Sequence, residues 1–214
     1  MNIKTNISNK LNYGGIRSNS EIKYIVIHYT ANDGDSDENN AKYFKNNVLY
    51  TSAHYFVDDD SITQTVPDNY IAYHCGAKYY KHPTCRNSNS IGVELCDNIK
   101  NGVVYPTEKA IQNAVELVKS LMKKYNIPKE NVIRHYDVTG KKCPSYWVNN
   151  SKWEQEFLNK LTFEITSAND ITWELKHSYF PISDTKKFVS ELEQARKNNS
   201  SLYWGYYKLV NKIK

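Results

Sequence analysis

The feature that most constrains this chain is an apolar, β-branched run, EIKYIVIH, from Glu21 to His28. A charged segment containing Gly34 follows it, so the pattern is typical of a buried strand that ends at a histidine and enters a loop. Shorter strand-like runs cover residues 53–57, 62–66, 91–96 and 131–134. The last of these leads directly into His135. These runs together predict a β-sheet.

Helical periodicity separates the strand-like runs. From Thr107 onward, apolar side chains recur at spacings of three and four, namely Ala110, Ile111, Ala114, Val115, Val118, Leu121, Met122 and Tyr125. Ser36 is a candidate N-cap for a shorter helix that contains Ala41, Phe44 and Val48, and a third helix is predicted over 152–161. Because strands alternate with helices, the predicted class is α/β, with a mixed central sheet flanked by helices.

A polar break at residues 166–169 predicts a domain boundary. The first domain is expected over 1–165, and residues 168–214 form a small helical C-terminal region with helices at about 170–177 and 185–197. A piece this small is marginal by itself. Its aromatic residues could serve as an internal core, a self-association surface or a binding face, and the sequence leaves the oligomeric state open.

The bulk composition narrows the class of protein. The 28 Lys and Arg residues exceed the 23 Asp and Glu residues, which suits an anionic polymer and ordinary solubility equally well. The first residues lack the apolar core of a signal peptide, and no later run is long enough to span a membrane. We therefore expect synthesis in the cytoplasm and no stable membrane insertion. Four cysteines are too few for a disulfide scaffold, which favours metal-binding or catalytic roles.

Two histidines and one cysteine form a candidate metal site. His28 and His135 each terminate an apolar strand, and Cys143 follows His135 across a loop that can fold back. One Cys and two His suit Zn²⁺ with a fourth position left open, as in catalytic sites. From spacing alone, separate structural roles for the three residues are the simpler interpretation.

Four segments in a fixed order change that interpretation. They are IVIHYTAN at 25–32, SAHYFVDDDSITQTVPD at 52–68, NSIGVELC at 89–96 and RHYDVTGKKCP at 134–144. Together they resemble the type 2 family of N-acetylmuramoyl-L-alanine amidases, which includes bacteriophage lysozyme-type amidases and is related to animal peptidoglycan recognition proteins. The resemblance covers about residues 20–160.

The resemblance implies roles for individual residues. It implies that His28, His135 and Cys143 bind zinc, that Lys141 lies beside the scissile carbonyl, and that Glu94 is the catalytic acid/base. Some members use a Tyr just before the His of the second motif, but this chain has Ala53 there, which leaves the role to Glu94 alone.

Two further histidines, His74 and His54, are candidates for roles in or near the site. His74 matches a histidine that borders the family's substrate groove, so it is a candidate substrate-binding residue. His54 is expected to support the site by a hydrogen bond to a metal ligand.

The resemblance further implies zinc-dependent hydrolysis of the amide between N-acetylmuramic acid and L-alanine in peptidoglycan. A phage or prophage endolysin fits the absence of an export signal, as does a cytoplasmic recycling amidase, and the extra C-terminal region favours the endolysin. Two other functions compete with hydrolysis. A non-catalytic peptidoglycan-binding protein of this fold would lose a metal ligand, which the presence of Cys143 opposes. A zinc-stabilised nucleic-acid-binding protein would show paired Cys-x-x-Cys spacing or a dense basic stripe, which this chain lacks.

Two expectations concern the remaining features. Basic residues predominate in the C-terminal region from residue 176 onward, so we expect it to bind an anionic wall polymer. Cys75 and Cys85 flank a Tyr-rich loop and could form a disulfide in an oxidising exterior, whereas Cys96 is expected to be a buried thiol on a strand.

Overall fold

The computed structural model describes residues 3–100 and 102–161, together with positions 190, 194, 197 and 198. The chain divides into two compact units, residues 1–158 and 159–214. The predicted boundary between 165 and 168 and the predicted helix at about 170–177 lie outside the described residues. Of the helix predicted at about 185–197, helical backbone is described at Ser190, Gln194 and Lys197.

The first unit alternates short strands with helices. Its strands are β1 (Ile3–Thr5), β2 (Tyr13–Ile16), β3 (Tyr24–Asp33), β4 (Tyr55–Val57), β5 (Ile62–Gln64), β6 (Tyr70–Ala72), β7 (Ser90–Lys100), β8 (Val103–Tyr105) and β9 (Val132–Arg134). Its α-helices are α1 (Asp37–Asn46), α2 (Glu108–Tyr125), α3 (His135–Thr139) and α4 (Asn150–Glu156).

The central sheet is mixed, which confirms the predicted class. Its strands run in the order β1-β5-β4-β7-β3-β9, and β8 pairs with β7. Strands β4, β7, β3 and β9 are mutually parallel, whereas β5 is antiparallel to β4 and β8 is antiparallel to β7. Strands β2 and β6 form a separate antiparallel pair. The two longest strands, β3 and β7, thus lie side by side at the centre of the sheet.

Helix α2 confirms the strongest helical pattern in the sequence. Thr107 is its N-cap and accepts a hydrogen bond from the backbone N–H of Ala110, and Asn126 ends it in the left-handed region with φ of 55°. Its buried face carries Ala110, Ile111, Ala114, Val115, Leu117, Val118, Leu121 and Met122. This apolar face covers β7 and β4. The apolar periodicity in the sequence therefore corresponds to the face of the helix that is buried against the sheet.

The structure corrects several predicted boundaries. The helix predicted over 152–161 is α4, which ends at Glu156 and is followed by a short 3-10 helix at Leu158–Lys160. Strand β3 does not end at His28 but continues to Asp33, with an irregularity in its pairing after Tyr29. His135 begins the short helix α3 rather than a loop. Helix α1 starts after its predicted cap Ser36 but ends at Asn46, so Val48 lies outside it and is exposed. The error in β3 arose because its length is set by pairing with β7, a distant segment, rather than by the local sequence.

No helix in the described part of the chain is both long and apolar enough to cross a membrane.

Candidate metal centre and groove

The register of three parallel strands brings the candidate catalytic residues together. His28 on β3 is the direct partner of Glu94 on β7, and Ile27 is the partner of Arg134 on β9. His135 is the next residue after Arg134, so it enters the site beside His28 at the point where β9 ends. Residues from three segments far apart in sequence thereby meet at one place on the sheet.

Helix α3 and the turn after it bring Cys143 to the same place. The Asp137 carboxylate accepts the backbone N–H of Arg134 and pairs with its guanidinium, which stabilises the start of the helix. Gly140 ends the helix with φ of 84°, a conformation that glycine adopts without strain. The chain then folds back, and the Tyr136 N–H donates to the Cys143 carbonyl at 2.9 Å. This local fold-back positions Cys143 next to His135.

The three predicted ligands form one buried cluster. The potential ligand atoms of His28, His135 and Cys143 all lie within 4.8 Å of one another. His28 Nδ1 is 3.8 Å from Cys143 Sγ, whereas His135 Nδ1 is buried without a hydrogen-bond partner among the described residues. Around a tetrahedral zinc ion, nitrogen and sulfur ligands stand roughly 3.5 Å apart. The cluster and its unpartnered nitrogen therefore fit a zinc ion.

Burial sets the protonation of the three ligands. It lowers the pKa of His28 well below its ordinary value, helped by the neighbouring His135, and it lowers that of His135 to about 4. Both imidazoles are thus neutral near pH 7 and can offer a lone pair. Burial, together with the negative charge of Glu94, raises the pKa of the Cys143 thiol to about 12. A metal ion must therefore displace the thiol proton when it binds.

Glu94 lies beside this cluster. Its Oε1 atom is 3.9 Å from His28 Nδ1, and its side chain keeps 20% of its surface exposed. Burial raises the pKa of the Glu94 carboxyl to about 8, against the opposing effect of the Lys141 charge. Its Oε2 atom is buried and has no hydrogen-bond partner within residues 3–161 as described. A carboxyl with a pKa near neutrality and a free oxygen is suited to proton transfer.

Lys141 faces a groove that opens beside the cluster. The groove has a volume of about 660 Å³, and His135, Lys141 and His74 contribute to its wall. Its remaining lining consists of Tyr50, Thr51, Tyr73, Gly76, Ala77, Asn87 and Thr139. Polar and aromatic walls of this kind suit a substrate that combines sugar and peptide.

His74 lies in the groove wall, but both of its ring nitrogens already have partners. Nδ1 lies 3.0 Å from His28 Nε2, and Nε2 lies 3.0 Å from Ser90 Oγ. The substrate contact predicted for His74 thus stays a prediction, and the Nδ1 contact connects the ring to His28 in the cluster.

His54 does not have the predicted hydrogen bond to a metal ligand. Its Nδ1 accepts the Gly92 N–H at 3.0 Å, and its Nε2 lies near Arg17 and the Tyr70 carbonyl. The prediction was wrong because strand pairing turns His54 toward the backbone of β7. Its ring stacks edge-on against His74, so it contacts the cluster only through that neighbour.

The remaining cysteines lie in the core. Cys96 is a buried thiol on β7, as predicted. Cys75 and Cys85 are buried free thiols that pack in one cluster with Val26, Ile133 and Val138. The disulfide between them stays a prediction.

Sequence reasoning missed Ser90, Gly92 and Asp97. Ser90 and Gly92 lie in the same NSIGVE segment that supplied Glu94, and a Cβ at Gly92 would stand 2.6 Å from the His74 ring. Asp97 accepts the N–H of Ala31, whose φ is 58°, and so shapes the chain after His28. The motif itself was the available signal, because its small residues leave room for His74.

The parallel strands at the centre of the sheet carry a buried His–His–Cys cluster beside a carboxyl with a raised pKa. This arrangement is typical of metal-dependent hydrolases. Comparison with known proteins gives the family. The profile described as N-acetylmuramoyl-L-alanine amidase matches residues 18–146. The chain belongs to this type 2 amidase family.

Similar proteins agree with this assignment. A probable N-acetylmuramoyl-L-alanine amidase of Bacillus licheniformis is 39% identical over 165 residues, which covers 69% of this chain and 45% of that protein. The catalytic domain of XlyA has a TM-score of 0.63 at 31% identity, covering 76% of this chain and 100% of that structure. A mutant endolysin from Bacillus subtilis has a TM-score of 0.63 at 32% identity, covering 76% and 99%. The chain spans about half the length of the curated relatives it matches.

Proposed function

We propose that this protein is a zinc-dependent amidase that hydrolyses the amide between N-acetylmuramic acid and L-alanine in bacterial peptidoglycan. One observation carries the proposal: the buried His28, His135 and Cys143 cluster lies directly beside Glu94 in the sheet. Family membership and the names of the relatives, which are N-acetylmuramoyl-L-alanine amidases, support the choice of bond.

The three ligands would hold zinc through two neutral imidazoles and one thiolate. When bound, zinc lowers the pKa of a water molecule and polarises an amide carbonyl. Glu94 takes a proton from the attacking water and returns it to the departing amine of L-alanine. Lys141, at the wall of the groove, stabilises the negative charge that develops on the carbonyl oxygen.

Mass spectrometry of digested peptidoglycan tests the reaction. We expect peptides that begin with a free L-alanine amine and glycan strands whose muramic acids carry free lactyl carboxylates. Chelation should abolish these products, and added zinc should restore them. New reducing sugar ends, or cleavage within the peptide stem, would overturn the assignment. Binding to walls without any cleavage would instead indicate the non-catalytic alternative.

We further propose that the protein acts as an endolysin and that residues 168–214 hold it on an anionic wall polymer. The similarity to endolysin structures supports the first part. The second part rests on charge. From residue 176 onward the basic residues are Lys176, Lys186, Lys187, Arg196, Lys197, Lys208, Lys212 and Lys214, against Asp184, Glu191 and Glu193. A basic segment is attracted to teichoic-acid-like polymers in a salt-dependent manner.

A further inference from the structure

His28 Nδ1 faces the metal cluster, so the proton of this imidazole must lie on Nε2 if Nδ1 is to bind a metal. The orientation follows from two distances, 3.8 Å from Nδ1 to Cys143 Sγ and 3.9 Å from Nδ1 to Glu94 Oε1. The opposite nitrogen, Nε2, lies 3.0 Å from His74 Nδ1. A neutral imidazole carries one proton, and the group that receives that proton decides which nitrogen is free.

Ser90 settles which nitrogen of His74 carries its proton. The Ser90 hydroxyl donates its single proton to the Arg86 carbonyl at 2.7 Å. Its oxygen can then only accept at the 3.0 Å contact with His74 Nε2, so a neutral His74 is protonated there. This leaves His74 Nδ1 as an acceptor for the His28 Nε2–H. Metal binding by His28 and the hydrogen bond of Ser90 therefore require the same arrangement. The His28 Nε2–H donates to His74 Nδ1, and the His74 Nε2–H donates to Ser90 Oγ.

The packing around His74 keeps its ring in this position. A Cβ on Gly92 would lie 2.6 Å from His74 Cγ and 2.8 Å from Nδ1, closer than carbon atoms approach without displacement. The backbone N–H groups of His74 and Cys75 both donate to the Asn87 side-chain oxygen. His74 is 8% exposed. The ring is therefore held between the glycine and its two hydrogen-bond partners.

We propose that His74 and Ser90 are positioning residues that set the tautomer of His28 for metal binding. We call the hydrogen-bonded set of His28, His74 and Ser90 the histidine relay. It gives His74 a role beyond the substrate contact suggested by its place in the groove. The inference rests on the proposed zinc site.

Zinc affinity, measured on the full chain by competition with a chromophoric chelator, tests the relay. His74→Leu keeps the bulk of the side chain but removes the acceptor, and we expect about 10–100-fold weaker zinc binding, the usual effect of losing a partner of a ligating histidine. His74→Asn places its side-chain oxygen near the position of Nδ1 and should recover most of the affinity. Ser90→Ala should weaken binding less than His74→Leu does, because it removes only the group that orients His74.

Gly92→Ala provides an independent variant, because it displaces the His74 ring without changing any polar group. We expect it to weaken zinc binding as well. Gly15→Ala is the matched control, since a Cβ there meets no atom within 4 Å, and it should bind zinc like the wild type.

A long-range ¹H–¹⁵N spectrum of the histidine rings in the zinc-loaded wild type tests the tautomers directly. We expect His28 and His74 each to be protonated at Nε2 only. A proton on His74 Nδ1, or unchanged zinc affinity in His74→Leu, would overturn the relay while leaving the zinc amidase proposal intact. Wild-type protein that binds no zinc would overturn both.

Discussion

At the scale of single residues, the environment of Glu94 is set by its place in the sheet. Pairing of β7 with β3 places it beside His28, and burial raises its pKa to about 8. A carboxyl that titrates near neutral pH can accept a proton in one step and return it in the next.

Glu94→Gln should therefore separate metal binding from turnover. The amide keeps the shape of the side chain but cannot take up a proton, so we expect near-normal zinc content with about 10²–10⁴-fold lower kcat on a soluble muropeptide. Glu116→Gln, at a largely exposed position of α2, is the control and should keep wild-type turnover. Near-normal kcat in Glu94→Gln would mean that another residue transfers the proton.

Asp97 gives a pH-dependent prediction. Its side chain is 1% exposed, and burial raises its pKa to about 6, although the Ala31 N–H that it accepts opposes the rise. A carboxyl whose pKa is higher in the folded than in the unfolded state favours folding below about pH 4, and this contribution is lost as pH rises through 6.

Asp97→Asn should remove this pH dependence while keeping an oxygen for the Ala31 N–H. We compare Glu94→Gln with Glu94→Gln/Asp97→Asn, so that the nearby titration of Glu94 does not interfere. Between pH 4.5 and 7.5, the free energy of unfolding of the single variant should fall by about 2 kcal/mol more than that of the double variant. Urea unfolding of the metal-free proteins measures it, and parallel pH profiles would contradict the expected effect of Asp97.

At the scale of elements, local sequence patterns predict α2, and the structure has a helix at this place. The Thr107 hydroxyl accepts the Ala110 N–H and also contacts the Asp59 carboxylate, so the cap joins the helix to the turn after β4. The apolar face of the helix then packs on β7, the strand that carries Glu94. The stability of the helix and the position of the strand that carries Glu94 are thus linked.

Thr107→Ala should lower the free energy of unfolding by about 1 kcal/mol, because the first turn loses its side-chain acceptor. Thr107→Ser retains the hydroxyl and should stay within a few tenths of the wild type. Urea denaturation followed by far-UV circular dichroism distinguishes the two variants. Equal losses in both would show that the methyl group, and not the cap, matters.

At the scale of the whole molecule, every residue proposed for catalysis lies within residues 1–158, the first of the two units. The solved catalytic domain of XlyA is matched over its full length by 76% of this chain. The chemistry of the first unit is therefore expected to be independent of the C-terminal region.

A chain truncated after Ser167 tests whether the first unit carries the chemistry and the C-terminal region carries wall binding. We expect it to keep its zinc and its cleavage of soluble fragments but to sediment less with purified walls. Binding of the full chain should weaken as salt rises from 0.1 M to 1 M, because the Debye length falls from about 10 Å to about 3 Å. Wall binding by the truncated protein that equals that of the full chain would refute the targeting role and point to packing or self-association.

The sequence alone supplied the candidate catalytic and metal-binding residues and predicted the elements that have strong local signals. The order of four motifs identified His28, His135, Cys143, Glu94 and Lys141 as candidates, and the periodicity of apolar residues from Thr107 onward predicted α2. Helices can be predicted from the sequence because their periodicity and capping depend on residues within a few positions of one another.

Tertiary structure decided how these residues meet. The pairing of His28 with Glu94 and the extension of β3 to Asp33 both depend on contacts between distant segments. The hydrogen-bond partners of His74 and His54 likewise could not be predicted from the sequence, because a ring nitrogen bonds to whichever group the fold brings near it. Strand register is set by long-range pairing and core packing, so it leaves no local pattern in the sequence.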